Sequence, residues 1–218
     1  MADTEHGRLA WWTPDELDPA RRAVYDAIAG GPRAGAQPAF GLTDSAGRLE
    51  GPFNAMLINP ELGDALQRLG SAIRYQGTLP DRGRELAILT LAVERDSDFE
   101  WYAHERVGRR VGLTEDELAA VRAGIDVGSF SPEERLVRRA VLALCRERDL
   151  DEELHAALIE AIGRAQLDEL VTLTGYYDLL ALSLKVWRTP LPEGEVASFQ
   201  PTASTAHSTD PGSNDGHS

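Results

Sequence analysis

The sequence has 218 residues, and its apolar content of 42% is enough for a hydrophobic core in one large or two small domains. Its 36 acidic and 22 basic residues give a net charge of -14. Such a charge repels phosphate backbones and anionic lipid, so it argues against nucleic acid or a membrane surface as a partner.

Cysteine content and the apolar runs narrow the class of protein further. The single cysteine, Cys145, excludes an internal disulfide, and its setting VLALCRER is typical of the buried side of a helix rather than of a nucleophile. No apolar run approaches the roughly 20 residues that span a bilayer, and the segment MADTEHGRLAWW lacks the basic start and apolar core of a signal peptide. We therefore expect a cytoplasmic protein.

Capping signals divide the first third of the chain. Thr13, followed by Pro14 and a glutamate at the third helical position, is a capping box that predicts a helix over residues 14–29. The run that follows, residues 30–50, is too rich in Gly, Pro and Ala for a helix and predicts a small β-hairpin or a lid-like loop. Asn59 and Pro60 then start a helix that should run to about residue 77.

The remaining elements are also helices. Further capping boxes begin at Thr114 and Ser131, and the long helices of the C-terminal half are predicted over residues 132–148, 151–163 and 167–187. Because strand-like alternation is missing outside the short hairpin, we predict an all-α fold with a small N-terminal β-hairpin, formed by a single domain over residues 1–192. Residues 193–218 have few bulky apolar side chains and are predicted to be a disordered tail.

The stretch from residue 84 to 112 carries titratable groups inside an apolar helical pattern and should form two helices joined by a short turn. Glu85 lies at the start of a helix that is apolar on nearly all sides. Glu100 and His104 are four residues apart and therefore share one face of the next helix. If the two helices pair antiparallel about Asp96, the axial offset between Glu85 and His104 is roughly 4 to 5 Å. The two carboxylates and the imidazole are therefore expected to converge.

Three interpretations of this cluster remain open. His104, positioned by Glu100 or Glu85, can give and take protons near neutral pH, which makes all three candidate catalytic residues. A second, purely structural interpretation is an internal salt bridge that fixes the register of the two helices. A third is a metal site, since Glu100 and His104 could ligate one cation; because no second histidine has related spacing, we predict neither a metal nor a cofactor.

Polar and aromatic residues near the expected site are candidates for substrate binding. Two of them stand where a loop enters a helix, two neighbour Glu100 on its helix, and two interrupt a long apolar helix in GYYDLL. They could line a mostly apolar pocket, or be ordinary core residues. These candidates are Phe53, Asn54, Trp101, Tyr102, Tyr176 and Tyr177.

The segments RELAIL and SDFEWYAHERVGRRVGLTEDELAAV resemble the core of the carboxymuconolactone decarboxylase and alkylhydroperoxidase D-like superfamily. The resemblance covers roughly residues 52–125, and GYYDLLALSLKVWRTPL resembles the closing helix of longer family members. It implies an all-helical protein that assembles as a homo-oligomer. In the peroxidase branch the pattern is a glutamate, a C-x-x-C pair and a histidine. Glu85 and His104 match its two ends, whereas Ser97 and Glu100 occupy the cysteine positions.

This departure bears on the expected reaction. Without either thiolate there is no nucleophile to attack a peroxide, so peroxidase activity is not expected. The surviving acid–base groups suit a cofactor-free lyase, decarboxylase or isomerase acting on a small carboxylated lactone or β-keto acid. The alternatives are a non-catalytic small-molecule binder or scaffold and a metal-dependent enzyme that uses Glu100 and His104. The expected partners are a small-molecule substrate and further copies of the chain.

Overall fold

The computed structural model describes residues 5–35 and 41–199, and within these ranges most residues are helical. Two short antiparallel strands precede the helices: β1, Glu5–His6, and β2, Leu9–Ala10. The helices that follow in chain order are α1 Pro19–Ala29, α2 Pro52–Ala55, α3 Pro60–Tyr75, α4 Asp81–Glu94, α5 Asp98–Arg110, α6 Glu115–Arg122, α7 Pro132–Arg146 and α8 Glu152–Trp187. The all-α class and the presence of a small N-terminal hairpin are confirmed, but the hairpin lies at residues 5–10 and not in the 30–50 run where the sequence predicts it.

The first predicted helix is divided in the structure. The capping box at Thr13 is present, but it starts a 3₁₀ turn, Pro14–Glu16, and α1 begins only at Pro19. The cause is local, because a residue before proline avoids helical angles and Asp18 is extended (φ -66°, ψ 166°). Asp18 then caps α1 by accepting a hydrogen bond from the backbone N–H of Arg21.

The predicted hairpin or lid over residues 30–50 is described only in part. Residues 32–34 form a 3₁₀ turn, and Thr43 and Leu49 form one antiparallel bridge around a turn closed by Asp44 and Arg48. Residues 36–40 lie outside the described residues.

Helix α4 is the centre of the fold, because it packs against α5, α6, α7 and α8. Every residue from Gly83 to Ala92 is buried. This agrees with the sequence of α4, in which the polar residues do not form a continuous face. Helices α4 and α5 are joined by a tight turn in which Asp96 has a left-handed φ of 48°. They form the adjacent pair that the sequence predicts.

Arg82 on α4 fixes the starts of two further helices. Its guanidinium lies 2.6 Å from Glu117 Oε1 and 2.6 Å from Glu134 Oε1. These glutamates also close the predicted capping boxes at Thr114 and Ser131, so one arginine holds the N-termini of α6 and α7 on α4.

The last helix, α8, contains the break that separates the two predicted C-terminal helices. Gly163 leaves the helical conformation there (φ 76°, ψ 168°), and the segment after it carries Tyr176 and Tyr177 against the core. Within the described parts of the chain, no helix is both long and apolar enough to cross a membrane.

The segment after α8 differs from the predicted disordered tail as far as residue 199. Asp98 Oδ1 accepts hydrogen bonds from the backbone N–H groups of Ser198 and Phe199, at 2.6 and 2.8 Å. The Phe199 ring also packs edge-on against Trp101, with a centroid distance of 5.8 Å. Phe199 is thus an aromatic anchor in a segment whose composition is otherwise typical of a disordered tail. Residues 200–218 lie outside the described residues.

Candidate acid–base site

A cavity of about 310 Å³ lies between α3, α5 and α8 and is also lined by α2 and the turn at residues 32–35. Much of its wall is apolar, and Phe53, Phe99 and Leu180 contribute to it. The polar side chains that line it are Arg33, Arg74, Tyr75, Glu100, His104, Arg110, Tyr176 and Tyr177. An apolar cleft with a few convergent polar groups is the usual form of a small-molecule site.

Glu85 and His104 form a buried pair, of which His104 lines the cavity and Glu85 lies behind it. His104 Nδ1 lies 2.6 Å from Glu85 Oε2, across the interface of α4 and α5. Glu85 is completely buried and His104 is only 4% exposed. The antiparallel geometry predicted from the turn at Asp96 therefore brings these two residues into direct contact.

Glu100 lies on the other side of the imidazole, four residues before His104 on α5. Its Oε2 atom is 3.5 Å from His104 Nε2, and its Oε1 atom is buried without a hydrogen-bond partner among the described residues. Burial raises the pKa of Glu100 to about 8, with Arg74 opposing the shift and Glu85 adding to it. At neutral pH Glu100 is therefore mainly protonated and can donate a proton.

The charges of Glu85 and His104 follow from their surroundings. Burial lowers the pKa of His104 below its ordinary value, and the attraction of Glu85 only partly offsets this. Burial tends to raise the pKa of Glu85, but His104, Arg74 and Arg84 outweigh it and lower the net value. We therefore assign an ionised Glu85 that accepts the Nδ1–H of a neutral His104, which leaves the Nε2 lone pair directed toward Glu100.

Tyr177 and Arg74 complete the polar wall beside His104. The Tyr177 ring stands edge-on to the imidazole, with centroids 5.1 Å apart, and Arg74 donates a hydrogen bond to its hydroxyl. Burial raises the pKa of Tyr177 well above its ordinary value, so the hydroxyl stays protonated. The wall thus offers a guanidinium and a neutral O–H donor close to the proton-transfer groups.

Of the six predicted substrate-binding residues, Phe53, Tyr176 and Tyr177 line the cavity, and the other three lie elsewhere. Asn54 is fully buried and donates from Nδ2 to the carbonyl oxygen of Ala10 at 3.0 Å, where it holds the N-terminal hairpin. Its neighbour Phe53 faces the cavity because consecutive residues of a helix point in different directions.

Trp101 and Tyr102 are displaced from the cavity for the same reason. Each lies one or two residues beyond Glu100 on α5 and is therefore rotated about 100° or 200° away from it. Trp101 packs in the core between α4 and α6, and Tyr102 packs against Leu184 near the end of α8. Trp101 and Tyr102 are therefore residues of the hydrophobic core and do not line the cavity, contrary to the prediction that they bind substrate.

Three further residues line the cavity that the sequence did not predict: Arg33, Arg74 and Gly70. Arg33 and Arg74 face the cavity from the turn before residue 35 and from the end of α3. Neither occurs in a recognisable motif, and both reach the site only because α3 packs against α8. A glycine in the middle of an amphipathic helix was the one available signal, since glycine there weakens a helix unless close packing requires it.

Grouped metal ligands and a reactive thiol are the two other kinds of catalytic group to consider. In the part of the chain that the structure describes, no three or more His, Cys, Asp and Glu side chains are grouped as metal ligands would be. Cys145 is buried on α7 beside a different, smaller cavity of about 180 Å³, and burial raises the pKa of its thiol.

Comparisons with known proteins identify a similar family and similar folds. The model of the carboxymuconolactone decarboxylase family matches residues 60–143, a range that contains Glu85, Glu100 and His104. No significant match was found among curated proteins.

Solved structures share the fold at low sequence identity. An uncharacterized peroxidase-related protein with an alkylhydroperoxidase core from Ralstonia eutropha is 15% identical with a TM-score of 0.67, over 87% of this chain and 94% of that one. A peroxidase-related protein from Silicibacter sp. is 11% identical with a TM-score of 0.66, over 87% and 94%. A debrominase in complex with 2,3,4-tribromopyrrole is 14% identical with a TM-score of 0.65, over 88% and 94%.

Proposed function

Because the chain belongs to the carboxymuconolactone decarboxylase and alkylhydroperoxidase D-like superfamily, we propose that it is a cofactor-free lyase, decarboxylase or isomerase. It moves protons at a carbon of a small organic acid, such as a carboxylated lactone or a β-keto acid. The observation that carries this proposal is the buried series Glu85, His104 and Glu100, whose last two members open into a cavity of about 310 Å³.

The protonation states supply both halves of a proton transfer. Protonated Glu100 is the acid, and the Nε2 lone pair of neutral His104 is the base, with the imidazole oriented by the Glu85 carboxylate. A pair of groups whose pKa values are shifted in opposite directions by one environment is typical of acid–base sites.

In a decarboxylation these groups do the following work. Loss of CO₂ from a β-keto or vinylogous carboxylate leaves its electron pair in an enolate, so the substrate itself is the electron sink. The Arg74 guanidinium and the Tyr177 hydroxyl stabilise the enolate oxygen. Glu100 then donates its proton to carbon, and the proton returns to Glu100 from solvent by way of His104. In an isomerisation His104 removes one proton and Glu100 donates another.

The site lacks the groups that thiol-dependent relatives would use. Ser97 and Glu100 stand where the resembling peroxidase branch has its cysteines, and Cys145 lines a different cavity from the one that His104 faces. Peroxide reduction through a thiolate therefore has no nucleophile here. A carboxyl group at position 100 replaces the nucleophile with an acid.

A second candidate function is binding without catalysis. It is favoured by one distance, the 3.5 Å between His104 Nε2 and Glu100 Oε2, which exceeds a normal hydrogen bond. Under this alternative the cavity holds a ligand and the three residues only support its wall.

Deuterium transfer to carbon separates the two candidates. The purified protein is incubated in D₂O with acetoacetate and with a carboxylated butenolide, and the products are followed by NMR. We expect enzyme-dependent CO₂ release or C–H exchange that is lost in His104→Gln and retained in Arg139→Gln, an exposed residue on α7. If the wild-type protein binds these acids without moving a proton to or from carbon, the binding function is correct.

A further inference from the structure

A second group of polar residues faces the same cavity apart from the acid–base groups. It consists of Arg33 in the turn after α1 and Tyr176 on α8, which meet above Gly70 on α3. The Arg33 guanidinium donates to the Tyr176 hydroxyl and, at 2.8 Å, to the backbone carbonyl oxygen of Gln67. Three separate segments of the chain therefore fix the position of one guanidinium.

Gly70 makes this arrangement possible. A Cβ atom at this position would overlap the Tyr176 hydroxyl and would lie 2.9 Å from Arg33 Nη2. A glycine inside a helix is destabilising relative to alanine. Because α3 has glycine at this point, the space that a Cβ atom would fill is occupied by the Tyr176 hydroxyl and the Arg33 guanidinium.

The Arg33 charge has no counterion in the described chain. Its hydrogen-bond partners among the described residues, Gln67 and Tyr176, are neutral, and its guanidinium stacks at 5.6 Å on the Phe53 ring. No carboxylate of the described residues forms an ion pair with it, although the sequence has 36 acidic residues. A partly buried guanidinium that is held in place and left without a counterion is suited to bind a carboxylate bidentately.

We propose that Arg33 and Tyr176, meeting above Gly70, form a carboxylate subsite that anchors a substrate at a point remote from its reacting carbon. This inference rests on the proposed function, whose His104 contacts Tyr177, the ring that adjoins Tyr176. A substrate that reaches both regions carries one carboxylate at Arg33 and presents its reactive carbon to Glu100 and His104. Anchoring of this kind lowers the entropy cost of orienting the reacting carbon.

The position of Tyr176 supports this division of the cavity. Its ring meets the Tyr177 ring edge-on, with centroids 5.4 Å apart, and Tyr177 in turn meets His104. Burial raises the pKa of Tyr176 to about 12, so its hydroxyl stays neutral and can donate to an anion. Tyr176 is therefore a polar partner of the anchored carboxylate, whereas Tyr177 belongs to the reacting end.

The experiment measures binding and does not depend on turnover. The monomethyl esters of succinate, glutarate and adipate, each with its dimethyl ester, are titrated into the full-length protein by calorimetry or ligand-observed NMR. We expect at least one half-ester, which carries a single carboxylate, to bind about tenfold or more tightly than its uncharged diester, since a hydrogen-bonded charge contributes this much or more. Arg33→Gln should remove that preference.

Matched variants identify the source of the preference. Arg139→Gln makes the same charge change outside the cavity and should retain the preference for the free carboxylate. Gly70→Ala should weaken it by displacing Tyr176 and Arg33, and circular dichroism should show that each variant is folded. Gly70→Ala tests the close approach, while Arg33→Gln tests the charge.

Two outcomes would overturn the subsite. One is a wild-type protein that binds half-ester and diester equally or binds neither, and the other is a folded Arg33→Gln protein that keeps the preference. Failure of the proposed function looks different. In that case the preference depends on Arg33 as described, but no proton is transferred to or from carbon in D₂O.

Discussion

Glu85 and His104 meet at 2.6 Å in the middle of the α4–α5 interface, although they lie 19 positions apart in the sequence. The contact fixes which nitrogen of the imidazole carries the proton, because the ionised Glu85 accepts from Nδ1. Nε2 is then left to face Glu100 and the cavity. The chemistry assigned to the site follows from this one orientation.

The protonated state of Glu100 can be observed directly. With ¹³C-labelled glutamate, one side-chain carboxyl should titrate near pH 8, because burial raises the pKa of Glu100 to about 8. Its resonance should be missing from Glu100→Gln and present in Glu50→Gln. Since the acid is lost as Glu100 ionises, kcat/KM should fall as the pH rises through about 8. A Glu100 resonance that titrates near its ordinary pKa would remove this residue as the acid.

A second buried pair, His6 and Glu50, predicts a pH effect on stability. Burial raises the pKa of Glu50 to about 7, with Asp44 adding to the shift and Arg48 opposing it. The folded pKa is above the unfolded one, so Glu50 contributes stability below its ordinary 4.5 that is lost as the pH rises through about 7. Burial lowers the pKa of His6 to about 4, which removes stability as the pH falls from 6.5 toward 4.

Replacing Glu50 separates these two effects. The free energy of unfolding of Glu50→Gln relative to wild type should increase between pH 4.5 and 7, by at most about 1.4 kcal/mol per pH unit. Urea unfolding at pH 5 and pH 8 measures the difference, with Glu61→Gln on exposed α3 surface as the control. The same offset at both pH values would show that Glu50 ionises normally in the folded state.

Arg82 should contribute more to stability than an exposed arginine. Arg82→Met leaves the capping glutamates Glu117 and Glu134 without their shared cation, and we expect a loss of about 1 to 3 kcal/mol. The control is Arg68→Met, since the Arg68–Asp64 pair is exposed and should contribute less than about 0.5 kcal/mol. Chemical denaturation of both variants checks this. Equal losses would mean that the Arg82 network adds nothing beyond a surface ion pair.

Self-association should use the outer face of α8. This face exposes apolar side chains at helical spacing, namely Val171, Leu179, Leu182 and Val186, and Leu182 is 64% exposed. We predict a homo-oligomer that Leu182→Glu dissociates, as measured by light scattering at micromolar concentration. Val196→Glu, which adds the same charge after α8, should leave the mass unchanged. A wild-type protein that is monomeric under these conditions would contradict the prediction.

The contact of Glu85 with His104 was predictable because it depends on local geometry. The two residues lie on consecutive helices joined by a short turn, and the helical rise fixes their offset. The capping boxes at Thr114 and Ser131 were predictable for a similar reason, since each involves residues only three positions apart. Elements and contacts of this kind are determined by residues that lie close together in the sequence.

Features that depend on long-range packing were not predictable. Arg33, Gly70 and Tyr176 come from separate segments, and only the packing of α3 on α8 brings them together. Asn54 and Trp101 show the converse, since each adjoins a cavity residue in sequence but points to a different side of its helix. Sequence proximity alone could not separate the site from its supporting core.

The central claim is that Glu85, His104 and Glu100 act as one proton-transfer unit, and a comparison of single and double mutants tests it most directly. The rate of CO₂ release or deuterium transfer is measured for His104→Gln, Glu100→Gln and the double mutant, with the acid that the wild type converts fastest. We predict a loss of about 10² to 10⁴ in kcat for each single variant, or about 3 to 5 kcal/mol, and little further loss in the double mutant. If His104→Gln instead melts several degrees lower and keeps its turnover per folded molecule, His104 only supports the core and the account is contradicted.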